Sequence, residues 1–99
     1  MSQPDKQKAV IITGGTSGLG AALVEHFVSS GRTVVMNYRS EKAAKAIVDR
    51  IASRQLRGYV LPAYADVRNR SEAQSMFEMA EKESGGADVL INSAGINRD

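Results

Sequence analysis

The sequence predicts an α/β fold, a mostly parallel sheet with helices packed across it. Three observations carry that prediction. Short apolar runs alternate with longer segments of helical periodicity. The runs are nearly continuous in Val and Ile, as in strands buried on both faces. Glycines recur at even spacing, at Gly31, Gly58 and Gly85, each after a helical segment and before the next run. A glycine just past a helix end takes the left-handed conformation without a steric penalty. The resulting order, β-α-β-α-β-α-β with short connections, implies right-handed crossovers onto a parallel sheet.

The elements follow in order. The first strand is KAVIIT, Lys8–Thr13, and it runs into the glycine-rich TGGTSGLG. The first helix is predicted to bury Leu19, Leu23 and Phe27, spaced i, i+4, i+8. TVVMN, Thr33–Asn37, is the second strand; Ser40 is the candidate N-cap of a helix carrying Ala44, Ile47, Val48 and Ile51 on one face. In the third strand, Tyr59–Ala63, Pro62 cannot donate to a ladder, which places the strand at an edge. Ala73, Met76, Phe77 and Ala80 form the apolar stripe of the third helix, with Ser71 and Gln74 as its expected capping box. ADVLIN, Ala87–Asn92, is the fourth strand.

Ninety-nine residues suit one small domain, and no linker, low-complexity segment or second domain interrupts them. The composition, 42% hydrophobic and 24% charged, is ordinary for a globular chain. A net charge of +2, with its basic residues scattered, argues against nucleic acid as a partner. The absence of cysteine excludes disulfides and thiolate metal sites, and no metal-ligand cluster is expected. The polar start MSQPDKQK lacks a signal-peptide core, and no apolar run approaches the roughly 20 residues that cross a bilayer. The expectation is a cytoplasmic protein without a membrane partner.

The turn after the first strand carries Gly14, Gly15, Gly18 and Gly20 and opens directly into a helix. Such a turn lets backbone approach a pyrophosphate, whose charge the free N–H groups and dipole of the helix favour. A Walker-type loop would end in Gly-Lys-Ser/Thr, but Gly20 is followed by Ala21 and Ala22. The rival reading is a glycine-rich turn with no ligand.

Thr13-Gly14-x-x-x-Gly18-x-Gly20, Asp66-Val67 after the third strand and Asn92-Ser93-Ala94-Gly95 after the fourth resemble, in order, the landmarks of the short-chain dehydrogenase/reductase superfamily. The ending INSAGINRD is most similar to the 3-oxoacyl-[acyl-carrier-protein] reductase and acetoacetyl-CoA reductase branch. The resemblance implies a partial Rossmann-type, doubly wound sheet of four strands in the order 3-2-1-4 with three helices, residues 1–99 forming the dinucleotide-binding N-terminal part. It implies that Gly14, Gly18 and Gly20, with Thr16, Ser17 and the Leu19 N–H in the same turn, surround a pyrophosphate. Asp66 would accept from the adenine amino group, with Val67 packed on the ring; for Asp66 the rival role is a turn-former or N-cap. Asn92, Ala94 and Gly95 would line the path to the nicotinamide ribose, Ser93 replacing the second Asn usual there.

The end of the second strand selects the cofactor. A carboxylate about 20 residues beyond the glycines would favour NAD; this chain has Asn37, Tyr38, Arg39 and Ser40. Arg39 can pair with a 2′-phosphate and Ser40 can donate to it, so NADP is expected, with NAD as the alternative. Ser17 stands where NADP-selective members often carry a second basic residue. The family's Tyr-x-x-x-Lys signature has a counterpart in Tyr38 and Lys42, but at the adenosine end of the fold, away from hydride transfer. The family's catalytic serine, tyrosine and lysine would lie beyond Asp99, so no catalytic residue is assigned. His26 is expected at the surface.

These readings give the cofactor-binding half of an NADP(H)-dependent 3-oxoacyl reductase, inactive alone, that takes an acyl thioester when complete. The alternatives are a non-catalytic dinucleotide module, or a remnant that oligomerises through the open edge of its fourth strand. A homo-oligomer or a complementing C-terminal half are the expected protein partners.

Overall fold

The computed structural model describes residues 7–93. The strands are β1 (Ala9–Thr13), β2 (Thr33–Tyr38), β3 (Tyr59–Tyr64) and β4 (Ala87–Asn92), alternating with helices α1 (Gly18–Ser29), α2 (Glu41–Arg54) and α3 (Arg70–Ser84). All pair in parallel in the order β3-β2-β1-β4, as expected. Pro62 lies beside Met36 in β3, an edge strand among the described residues, where a missing N–H is tolerated.

Successive strand residues point to opposite faces, and the chain builds one core on each. Val10, Ile12, Val34 and Met36 meet Val24 and Val28 of α1 and Ala44, Ile47 and Ile51 of α2. Across the sheet, Ala9, Ile11, Val35 and Ala63 meet Met76 and Ala80 of α3. Each large side chain so buried stabilises the fold by about 1.5–3 kcal/mol. All sheet crossovers deliver strand C-termini to one end, where the turn after β1 lies beside the ends of β2 and β3.

The structure corrects five local expectations, the last of them a helix cap. In α1 the buried stripe is Gly20, Val24 and Val28; Leu23 and Phe27 are half-buried and Leu19 is exposed. The glycine lets the helix sit close on the preceding turn, and that contact fixes which side of an otherwise apolar helix faces the sheet. In α3, Met76 and Ala80 point inward while Phe77 lies at the margin of the stripe and is exposed. Only β1 and β2 are buried on both faces: β3 and β4 are partly exposed, and Leu90 remains 56% exposed because α3 covers the sheet mainly at β1 and β2. Gly31 and Gly85 have the expected positive φ, but α2 ends with Gln55 in the left-handed conformation (φ 52°). Gly58 is required instead by space, since a Cβ there would stand 2.1 Å from the Arg32 carbonyl oxygen.

The caps show the same local logic. Ser40 caps α2, its Oγ accepting from Ala43 N, as the sequence predicts. For α3 the cap is Asn69 rather than Ser71: Asn69 has extended backbone and its Oδ1 accepts from Glu72 N (3.2 Å), whereas Ser71 already lies in the first turn. Asn69→Ala is expected to cost about 1 kcal/mol in urea unfolding, with Ser71→Ala costing less; the reverse ranking would contradict this cap.

Candidate functional site

The turn after β1 is built by its glycines and Ser17. Gly14 has φ 66°, a conformation glycine adopts freely. Ser17 caps α1: its Oγ accepts from Gly20 N (3.2 Å) and donates to Gly14 O (2.8 Å), so the hydroxyl expected to meet a ligand is spent on the turn. A Cβ on Gly15 would meet Met36 Cγ at 2.5 Å, and one on Gly20 would meet Gly14 O at 2.1 Å. Gly18 differs: among the described residues a Cβ there would touch nothing within 4 Å, and its φ is ordinary. The fold explains three glycines and leaves the fourth unexplained.

Asn37, at the end of β2, is 3% exposed. Its Oδ1 accepts from Gly14 N (3.1 Å), its Nδ2 donates to Ala65 O (2.8 Å), and its carbonyl accepts from Gly15 N (3.0 Å). Tyr38 packs edge-to-face on Tyr64 with ring centroids 5.6 Å apart. Arg39 and Ser40 follow, both exposed. Because Ser40 Oγ uses a lone pair on Ala43 N, its proton remains to donate.

Beyond β3, Asp66 is a turn-former as well as a candidate acceptor. Arg68 donates to it three times, from backbone N (3.0 Å), Nε (3.1 Å) and Nη2 (3.0 Å), while Arg39 Nη1 stands 3.9 Å from Oδ1. The Arg68 side-chain and backbone hydrogen bonds, aided by its charge and that of Arg39, lower the Asp66 pKa to about 2. The group that would face an adenine amine is therefore an ionised acceptor at any ordinary pH. Glu72 closes the segment by accepting from Asp66 N (2.7 Å).

These pieces surround a cavity of about 280 Å³ lined by Gly14, Thr16, Ser17, Asn37, Tyr38, Arg39, Ser40, Ala65 and Val67. Seven of these residues were expected from both the glycine turn and the β2 end, and Val67 joins them from the β3 side; Ala65 was not. Gly18, Leu19 and Gly20 begin α1 beside it, and Asp66 lies between the lining residues Ala65 and Val67. Asn92 stands apart, at the end of β4, where its Oδ1 accepts from Thr13 Oγ1 (2.8 Å). Ser93 is buried and donates from Oγ to Thr13 O (2.5 Å). Ala94 and Gly95 lie outside the described residues. Sequence reasoning missed Arg68 and, while quoting Thr13 in the glycine motif, gave it no role; Arg68 was detectable as the residue two beyond an Asp at a strand end, the spacing of an Asx-turn.

Tyr38 and Lys42 sit at the β2–α2 junction, Lys42 exposed in the first turn of the helix. His26 is exposed against Phe27. Among the described residues, no group of His, Asp and Glu could hold a metal ion and no helix is long and apolar enough to cross a membrane.

Comparison with known proteins finds relatives over nearly all of this chain. A short chain dehydrogenase of Pseudocercospora fijiensis is 36% identical over 91 residues, 92% of this chain and 29% of that protein. The 3-oxoacyl-[acyl-carrier-protein] reductase of Haemophilus influenzae is 34% identical over 92 residues, 93% of this chain and 36% of that protein. The chain thus spans about a third of the length of these relatives. Among solved structures, L-sorbose reductase from Gluconobacter frateurii, complexed with NADPH and L-sorbose, superposes with a TM-score of 0.74 at 27% identity, over 86% of this chain and 32% of that one. The short chain dehydrogenase family model matches residues 8–99. With that match over the strands, the glycine turn and the site at their ends, the chain belongs to the short-chain dehydrogenase family.

Proposed function

We propose that this chain forms the NADP(H)-binding part of a ketoreductase acting on 3-oxoacyl thioesters. The observation that carries the ligand is Gly18. Among the described residues neither backbone angle nor packing calls for a glycine there, whereas a pyrophosphate pressed on that backbone would. The residues fit the rest of a dinucleotide. Gly14 brings the backbone close, Gly18 and Leu19 at the start of α1 offer their backbone N–H groups to the phosphates, Asp66 offers an ionised acceptor to the adenine, and Arg39 with the Ser40 hydroxyl offers one charged and one neutral donor to a 2′-phosphate. Thr13 and Asn92, bonded to each other, join β1 to β4 at the nicotinamide side.

NADPH bound there would supply hydride to a carbonyl carbon. The chain's own residues hold and orient it, through the glycine turn at one end and the β4 end at the other. The 3-oxoacyl substrate class rests on the Haemophilus influenzae relative and on the INSAGINRD ending. A rival reading, a non-catalytic chain that self-associates, draws on Leu90, exposed in β4, which is an edge strand among the described residues.

Calorimetric titration with NADPH and NADH tests the proposal, with Gly18→Ala as the decisive variant. Alanine in the first turn of a helix should keep stability or raise it by about 0.5–1 kcal/mol, while its methyl group displaces the phosphate and weakens binding about tenfold or more. A folded wild-type chain that binds neither nucleotide would replace this reading by its rival. So would a Gly18→Ala chain that binds as wild type.

A further inference from the structure

The sequence places Asn37 among the residues that touch the cofactor, yet both ends of its carboxamide are turned to the protein. Oδ1 takes the N–H of Gly14, the left-handed residue that starts the turn. Nδ2 gives a proton to Ala65 O at 2.8 Å and reaches Ala63 O at 3.5 Å. The turn that would hold the pyrophosphate and the strand end that carries Asp66 are thus joined through one buried side chain. A carboxamide suits the task because it offers an acceptor and a donor on one rigid plane. We infer that Asn37 is a positioning residue, fixing the spacing between the pyrophosphate end and the adenine end of the site without bonding to the ligand through its side chain. This role rests on the dinucleotide reading.

Both tethered groups are main-chain and lie at the cavity wall, since Gly14 and Ala65 line it together with Asn37. Removing the carboxamide leaves the Gly14 N–H and the Ala65 carbonyl without this partner, which loosens the two walls relative to each other. Gly15 N remains held by the Asn37 carbonyl in any variant, so the sheet register survives and the loss is confined to the spacing. Both nucleotides share the pyrophosphate and the adenine, so both must feel it equally. The 2′-phosphate readers, Arg39 and Ser40, are not tethered by this side chain.

The test uses the 99-residue chain with Asn37→Ala and Asn37→Asp, amide hydrogen exchange followed by NMR without ligand, and titration with NADPH and NADH. For Asn37→Ala the Gly14 amide should lose protection while Gly15 keeps it. Both dissociation constants should rise about tenfold, with their ratio held within about twofold. Asn37→Asp can still accept from Gly14, but its second oxygen faces the Ala65 carbonyl and needs a proton to bond it. Its carboxyl is then driven above the usual ~3.9. The folded state binds that proton more tightly than the unfolded state, so stability and affinity rise as pH falls from 7 toward 4. The charged groups at these strand ends are Arg39, Asp66 and Arg68, with Glu72 of α3 accepting from Asp66 N; Asp66, at about 2, stays ionised across that window, and the wild-type chain, which carries the same four groups, is the baseline for the recovery.

Should Asn37→Ala fail to fold, the acid recovery of Asn37→Asp carries the test. A folded variant with wild-type affinity overturns the inference, as does a changed NADPH/NADH ratio, which would mean contact with the 2′ end, or an Asn37→Asp chain with no recovery in acid. A wild-type chain that binds neither nucleotide overturns the cofactor reading instead, and the Gly14 exchange then decides the tether by itself.

Discussion

Gly20→Ala is expected to lower the stability of the chain by about 3 kcal/mol or more and to abolish nucleotide binding with it. The added Cβ would stand 2.1 Å from Gly14 O, 2.9 Å from Gly14 C and 3.0 Å from Gly15 Cα. All three are backbone atoms of the turn, so no side-chain rotation relieves them. Either α1 lifts from the turn, exposing Val24 and Val28, or Gly14 leaves its left-handed conformation and the Ser17 cap is lost. Both routes dismantle the wall of the cavity. Gly15→Ala is the milder neighbour, since the conflict there is with the flexible Met36 side chain. Urea unfolding of the three glycine variants should therefore rank Gly20→Ala far below wild type and Gly18→Ala at or above it. A Gly20→Ala chain within about 1 kcal/mol of wild type would show that α1 does not pack on the turn as described.

That ranking also marks what the sequence disclosed and what it hid. TGGTSGLG announces a tight strand–turn–helix, and Pro62 announces an edge, because each depends on a property of the residue itself. Short connections and right-handed crossovers made a parallel sheet legible, while the strand order came with the resemblance to the dehydrogenase family. Division of labour among the glycines was not. Gly14 serves a backbone angle, Gly20 and Gly58 serve close approach, and Gly18 serves neither. A glycine reads the same in each case, and only the position of distant backbone separates them. The buried face of α1 was hidden for a related reason: with apolar residues on more than one side, periodicity is ambiguous until Gly20 fixes the contact. Ser17 and Asn37 were identified as part of the site, but their polar atoms turned out to hold the turn. Sequence spacing shows which residues converge; which way a short polar side chain turns depends on the nearest orphan N–H or carbonyl.

Arg39→Ala is expected to cost NADPH about fifty-fold in affinity, the size of a charge-assisted bidentate contact, while changing NADH by less than about twofold. A lone aspartate 3.9 Å from Arg39 would compete with any phosphate for that guanidinium. Here Arg68 takes both carboxylate oxygens and adds its backbone N–H, leaving Arg39 beyond hydrogen-bonding distance and 59% exposed at the cavity wall. Its planar fork is thus disposed toward a second anion, and Ser40 supplies a hydroxyl at the next residue. Salt gives an independent check: raising ionic strength from 0.1 to 1 M shortens the Debye length from about 10 to 3 Å, so it should weaken NADPH more than NADH in the wild-type chain and equally in Arg39→Ala. Equal losses of both nucleotides on substitution would mean that Arg39 works through Asp66 at the adenine rather than at the 2′-phosphate. The proposed NADP preference would then have no reader at the end of β2.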